Sequence, residues 1–310
     1  MGMAEVVPGV SGGTIAFVTG IYERLLTAIT SVGPDLVTAY REEGWRGVWI
    51  TLQGGFVLNI LAGMVVGLVV GVFAITSMLK AYPPVVWAFF FGLILASAWL
   101  IGRLVQPWTI RTVLSLLAGF GVALAIVLST PSSGSEALWA VYLSGVLAIS
   151  GLLLPGISGS FILLILGMYG YIVPSVKAAL SGADAGVYLV VFVFALGALT
   201  GLMTTSRVLK HLFERFPQLT YALLTGFMLG SLYKLWPWRV VTAYARDASG
   251  ALILSDGKRK VLTEAPVWPA SYAAEGEPYL LASIVAALVG VGLLVVIARF
   301  DNSRVVEKEV

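Results

Sequence analysis

The chain has 310 residues, 59% of them hydrophobic and only 11% charged, with a mean hydropathy of +0.96. An ordinary soluble surface needs about 25% charged residues, so this composition excludes a soluble globular protein and specifies a chain solvated by lipid. The net charge of +3 and pI near 9.1 fit the basic loops of a membrane protein, and no nucleic-acid partner is expected. With no cysteine, disulfides, thiolate nucleophiles and thiolate metal sites are ruled out. The single His211 leaves no multi-histidine centre, so neither metal nor cofactor is expected.

In chain order, Met1 to Gly20 lacks a basic region followed by a small-residue cleavage site and is not read as a removable signal. Crossing about 30 Å of hydrocarbon takes roughly 20 apolar residues. Runs of that kind stand near 52–79, 85–102, 110–128, 187–206, 218–236 and 279–300, which predicts six spans. Between 237 and 278 the sequence turns polar, with Pro, Gly and charge, as expected of an external loop. Alternation around Ala251 to Ser255 predicts a short hairpin within it.

Two regions are apolar yet interrupted. Pro8 to Tyr22 reads PGVSGGTIAFVTGIY and Pro155 to Tyr169 reads PGISGSFILLILGMY, identical at seven of fifteen positions at a constant offset of 147. Pro removes a backbone donor and Gly weakens a helix interior, so each phrase predicts two short helical arms meeting at a glycine turn. At membrane depth such backbone must be buried in protein or line a cavity. Re-entrant hairpins are therefore expected near 4–30 and 138–175.

The duplication extends further. Gly63, Gly67, Pro83, Gly92 and Ser97 recur as Gly197, Gly201, Pro217, Gly226 and Ser231, all at an offset of 134. The expected fold is an all-α polytopic membrane protein of two repeats, residues 1–130 and 131–310, each a hairpin plus three spans. Three is odd, so the second repeat would be inverted relative to the first, the plan of many secondary transporters. Eleven basic residues, among them Arg24, Arg103, Arg207 and Arg299, fall on one face and eight on the other. The positive-inside rule makes the first face, with the C-terminus, cytoplasmic.

MAEVVPGVSGGTIAFVTGIYE from Met3, LLPGISGSFILLILGMY from Leu153, TTSRVL at 204–209 and GFMLGSLYKLWP at 226–237 together resemble the PopT-type polyprenyl-phosphate translocases, over essentially the whole chain. The resemblance implies inward flipping of undecaprenyl phosphate, the carrier lipid of bacterial envelope polymers such as peptidoglycan, in the plasma membrane. An apolar arm from about Leu138 to Leu154 precedes the second phrase, and Met1 to Val7 the first, where the family usually has more residues.

The residues suit an anion. Small residues let backbone N–H groups approach a ligand, and a helix starting at each phrase adds a positive dipole end. The substrate-binding candidates are Pro8, Gly9, Ser11, Gly12, Gly13 and Thr14, their counterparts Pro155, Gly156, Ser158, Gly159 and Ser160, and Ser206 with Arg207. The alternative is that the glycines only permit close helix packing, the favoured reading for Gly63 and Gly67. Arg207 offers a planar fork for phosphate or else anchors the cytoplasmic helix end. Glu5, whose counterpart is Leu152, is the candidate carrier of a coupling proton or sodium ion, or an inert cap. Gln53 and Asn59 read as interhelical hydrogen-bonding residues, and Lys234 as a snorkelling residue that could attract lipid phosphate. His211 reads as solvated. A polyprenyl-diphosphate phosphatase and an anion channel compete with the translocase, but neither phrase holds Arg, Lys or His for hydrolysis. Homo-oligomerisation is left open.

Overall fold

Proline starts and glycine-rich breaks divide the apolar sequence into helices. The computed structural model describes residues 1–5, 11–132, 134–182, 184–244, 254–255, 258–259 and 261–306. The first half holds α1 (Gly2–Glu5), α2 (Gly12–Val18), α3 (Tyr22–Thr30), α4 (Pro34–Thr51), α5 (Gly54–Ala81), α6 (Pro83–Gly102) and α7 (Ile110–Leu128). The second holds α8 (Leu138–Leu153), α9 (Gly159–Ile165), α10 (Tyr169–Leu180), α11 (Ala185–Arg215) and α12 (Pro217–Leu235). After them come β1 (Arg239–Tyr244), β2 (Leu254–Ser255), β3 (Lys258–Arg259), β4 (Val261–Pro266), α13 (Pro269–Tyr272) and α14 (Leu280–Val306).

The protein is an all-α polytopic membrane protein. Five of the described helical stretches are long and apolar enough to cross a membrane, and they contain α5, α6, α7, α11 and α14 at the expected places. The sixth expected span, α12, is a helix where predicted but is not among these five. The reason is its position. It packs between α6 and α7, and its buried Thr220, Thr225 and Ser231 hydroxyls donate to Phe216, Tyr221 and Met228 carbonyls at 2.9, 2.8 and 2.7 Å. A helix enclosed by other helices can carry polar residues that a lipid-facing one cannot.

Equivalent sequence positions take equivalent conformations. Tyr82, before Pro83, has φ −137° and ψ 58°; Phe216, before Pro217, has φ −137° and ψ 55°. Pro is favoured at the first helical position because its missing N–H is not needed there. Contacts repeat as well. Gly92 of α6 lies against the Ala287 backbone of α14, and Gly226 of α12 against the Leu116 backbone of α7. Gly67 of α5 meets α1 at Gly2 and Met3, and Gly201 of α11 meets α8 at Val146. Gly63 has open space where a Cβ would be, whereas its counterpart Gly197 touches the Tyr142 backbone.

Around the second phrase, α8 and α9 are the two arms, and α10 then turns away from α9 by 118°. The Ser132 N–H, before α8, donates to the Ile165 carbonyl at the end of α9 at 2.8 Å. Helix α4 was not anticipated. It kinks at Gly44 (φ 63°) and exposes Trp45 and Trp49 beside Arg41 and Arg46. In the polar loop β1 pairs antiparallel with β4, and β2 with β3. The hairpin expected around Ala251 to Ser255 is represented by β2 and β3, with residues 251–253 outside the described ones.

Candidate functional site

The two phrases meet in the fold, Thr14 of the first bonding Gly156 of the second. Ser11 is the N-cap of α2, with extended backbone (φ −104°, ψ 136°), and Ser158 caps α9 in nearly the same conformation (φ −98°, ψ 128°). Proline and glycine before them prevent the helix from starting earlier. The Gly13 N–H donates to Ser11 Oγ at 3.1 Å, and Ser11 Oγ in turn donates to the Leu152 carbonyl at 2.8 Å. The Gly156 N–H donates to Thr14 Oγ1 at 2.9 Å, and Tyr22 Oη donates to the Leu153 carbonyl at 2.8 Å. These bonds tie the start of α2 to the end of α8, where the last carbonyls have no helical partner.

Glycine is required at particular points of this crossing. Gly156 has φ +89°, and a Cβ there would come within 2.9 Å of the Met228 backbone. A Cβ at Gly13 would lie 2.7 Å from the Leu152 carbonyl oxygen, and one at Gly159 would strike the Ala148 carbonyl. Gly13 and Gly159 therefore serve backbone packing. Gly12 differs, because its nearest neighbour is the end of a flexible side chain, Glu5. The Gly12 N–H donates to Glu5 Oε1 at 2.6 Å. A carboxylate thus already occupies the free donor at the start of α2.

Glu5 also lines a cavity of about 540 Å³ between α3, α5 and α11. Its wall is almost wholly apolar, with Leu25, Ile29, Leu61, Met64, Leu153 and Leu202, and Gly13 and Tyr22 stand at the same end as Glu5. Near the second phrase the space is different. Gly156, Ser158, Phe161, Ser231 and Lys234 surround a gap of about 10 Å³. The Ser158 and Ser160 hydroxyls are 2.9 Å apart and bonded to each other.

The other candidates are placed as follows. Pro8 and Gly9 lie outside the described residues. Pro155 is buried in the turn between α8 and α9. Ser206 is buried, its hydroxyl 3.3 Å from the Met203 carbonyl. Arg207 is not brought to the phrases. Its guanidinium donates to the Val32 carbonyl at 2.8 Å, which clamps the end of α3 to α11. With Lys210, His211, Asp35 and Glu214 it lines a separate polar cavity of about 350 Å³. His211 is exposed there, as expected. Gln53 accepts a 2.7 Å bond from Arg24 Nε and so links α5 to α3, the interhelical role its type suggested, while Asn59 is exposed.

Sequence reasoning missed the roles of Tyr22 and Tyr272. Tyr22 ends the first phrase and is buried against Phe17 and Phe213, whereas its counterpart Tyr169 is 42% exposed. The aromatic at the same place in both phrases was the available signal. Outside the spans, Tyr272 on α13 has its phenol pushed up by burial and by the nearby Glu275 and Glu264 carboxylates. Among the described residues no group of three or more His, Asp or Glu could hold a metal ion.

Residues 1–253 match the VCA0040-like family, described as undecaprenyl phosphate translocase-like. A polyprenyl-phosphate transporter of Vibrio cholerae serotype O1 (strain ATCC 39315 / El Tor Inaba N16961) is 38% identical over 250 residues, covering 81% of this chain and 79% of that protein. A polyprenyl-phosphate transporter of Staphylococcus aureus (strain NCTC 8325 / PS 47) is 27% identical over 249 residues, covering 76% and 83%. No solved structure matches the chain. The doubled glycine phrase, the multi-pass helical fold and the match over most of the sequence place this chain in the undecaprenyl phosphate translocase-like family.

Proposed function

We propose that the protein moves polyprenyl phosphate from the outer to the inner leaflet of the bacterial plasma membrane. The observation that carries this reading is the 540 Å³ apolar cavity lined by Glu5 and by Gly13 and Tyr22 of the first phrase. A ligand pocket of this kind, largely apolar with a few convergent polar groups, suits a molecule with a hydrocarbon chain and one charged end. The names of both relatives point to the same lipid. An ion channel would want a polar wall, and this one is apolar.

The two halves are read as inverted repeats over 1–130 and 131–310, each with a re-entrant hairpin. Matching backbone at Tyr82 and Phe216 and the exchanged glycine contacts support that reading. By the positive-inside rule, the distribution of basic residues supports a cytoplasmic α3–α4 end and C-terminus. The large cavity then belongs to the cytoplasmic side and the 10 Å³ gap to the outer side, so the conformation is an inward-facing one. The hydrogen-bonded crossing at Thr14 and Gly156 is the fixed centre about which access alternates.

In this reading Glu5 and the phosphate compete for the Gly12 N–H. Protonation of Glu5 removes its charge and releases that donor to the phosphate; loss of the proton on the cytoplasmic side returns the carboxylate and expels the lipid. Sodium could replace the proton beside the same carboxylate. At the phrase crossing the Gly12 N–H, once Glu5 leaves it, and the N–H groups at the start of α9 position the headgroup, while those of Gly13, Thr14 and Gly156 stay with Ser11 and Thr14 and hold the crossing together.

The test is reconstitution into liposomes with a fluorescent polyprenyl phosphate, reading the fraction accessible to a membrane-impermeant quencher. Protein-dependent exchange of that lipid, without release of inorganic phosphate from polyprenyl diphosphate, is expected. Phosphate release, or an ion current with no lipid movement, would overturn it.

A further inference from the structure

Among the described residues, two cations stand at the outer end of α12 with a single carboxylate between them. Glu264 Oε2 on β4 lies 3.3 Å from Arg239 Nε and 3.7 Å from Lys234 Nζ. Arg239 has an independent structural use. It donates to the Tyr233 carbonyl at 2.7 Å and to the Glu264 carbonyl at 3.0 Å, and its side chain is only 8% exposed. Lys234 is held more loosely. Its ammonium lies 5.3 Å from the centre of the Phe161 ring, inside the second phrase, and at 3.7 Å its distance to Glu264 exceeds that of a charge-assisted hydrogen bond, about 2.7–2.9 Å. Lys234 also lines the 10 Å³ gap with Gly156, Ser158 and Ser231. Among the described residues one carboxylate meets two cations, and the more loosely held of them, Lys234, faces the second phrase.

We infer that Lys234 and Arg239 form a docking site for a phosphate monoester at the mouth of the second phrase, and that Glu264 is its built-in occupant, displaced when the phosphate arrives. A phosphate monoester carries about −1.5 to −2 charges near neutral pH and so matches two cations where a carboxylate does not. The gap that Lys234 lines, about 10 Å³, is too small to take a phosphate, so binding and widening of this mouth are the same event, and the ammonium must turn from Glu264 to reach the phosphate. The arrangement parallels the first phrase, where Glu5 holds the Gly12 N–H. The lipid as source of the phosphate rests on the proposed function; the cation site rests on the geometry.

The test is equilibrium binding to the purified full chain, read by quenching of the tryptophan fluorescence to which Trp236, Trp238 and Trp268 contribute beside the site. The probes are farnesyl phosphate, inorganic phosphate and farnesol. Glu264→Gln, which removes the occupant, is expected to bind farnesyl phosphate about tenfold more tightly, and Lys234→Met about tenfold more weakly, with Lys234→Arg near wild type. A gain in affinity cannot come from misfolding. An unaltered or weaker Glu264→Gln, or a Lys234→Met that binds like wild type, would overturn the site. Inorganic phosphate binding as well as farnesyl phosphate would overturn the lipid assignment, as would farnesol binding equally well. Failure of the wild type to exchange lipid in liposomes would sink the proposed function alone, because the binding measurements do not depend on it.

Discussion

The two phrases share a backbone plan but not their surroundings. The first borders a cavity of about 540 Å³ and is capped by a carboxylate, Glu5; the second borders a gap of about 10 Å³ and faces an ammonium, Lys234. The two similar turns thus differ in the charge beside them, an acid at the first and a base at the second. For a protein that passes an anion from one turn to the other, that difference sets a direction. In the proposed mechanism the cationic mouth collects the phosphate, and the acidic one must take up a proton or move aside before the phosphate can rest there.

The sharpest way to break the comparison is at its glycines. Gly156→Leu puts a side chain at φ +89° and against the Met228 backbone. Loss of folded protein is expected on a thermal melt, because both the strain and the clash must be relieved by moving α12. Gly63→Leu, in open space, is expected to melt like the wild type. Between these, Gly12→Ala meets only the movable Glu5 side chain, so it should fold but bind lipid phosphate differently from the wild type.

A smaller effect separates the two tyrosines. Tyr22→Phe removes a buried bond to the Leu153 carbonyl and should cost about 1–3 kcal/mol in a denaturant or thermal unfolding series. Tyr169→Phe, at an exposed position, should fall within about 0.5 kcal/mol of the wild type. Equal costs for the two would show that the first phrase is not the more tightly built.

Topology tests the comparison without altering either turn. Because the chain has no cysteine, single ones report cleanly. A Cys replacing Ser31, at the end of α3, should react with impermeant thiol reagent only from the cytoplasm. A Cys replacing Ala179, near the end of α10, should react only from outside. Labelling of both from one face would remove the inverted-repeat reading and with it the assignment of the two mouths.

Much of this fold was legible because membrane solvation makes length informative. A run such as Ile110–Leu128 has few alternatives to a helix that spans lipid. Duplication located the centre, and Pro83 and Pro217 marked equivalent helix starts. Contacts that cross the chain were not legible. Nothing local shows that Ser11 bonds Leu152, 141 residues away, or that Glu264 meets Lys234. Arg207 illustrates the limit from the other side: its type fits phosphate, but its place in the fold gives it the Val32 carbonyl. Helix α4 was missed because its charges and Gly44 break the apolar pattern.

Ion coupling through Glu5 is the central claim, and energy motivates it. Pulling a phosphate toward a negative interior costs about 2.3 kcal/mol per charge per 100 mV, so inward movement needs a cation in company. The most direct measurement is the inner-leaflet fraction of a fluorescent polyprenyl phosphate in liposomes holding wild type or Glu5→Gln, with and without proton or sodium gradients. The account predicts that one gradient raises that fraction for the wild type and leaves Glu5→Gln unmoved, although the variant still binds the lipid. A wild type indifferent to both gradients, or a Glu5→Gln variant that responds as the wild type does, would contradict it.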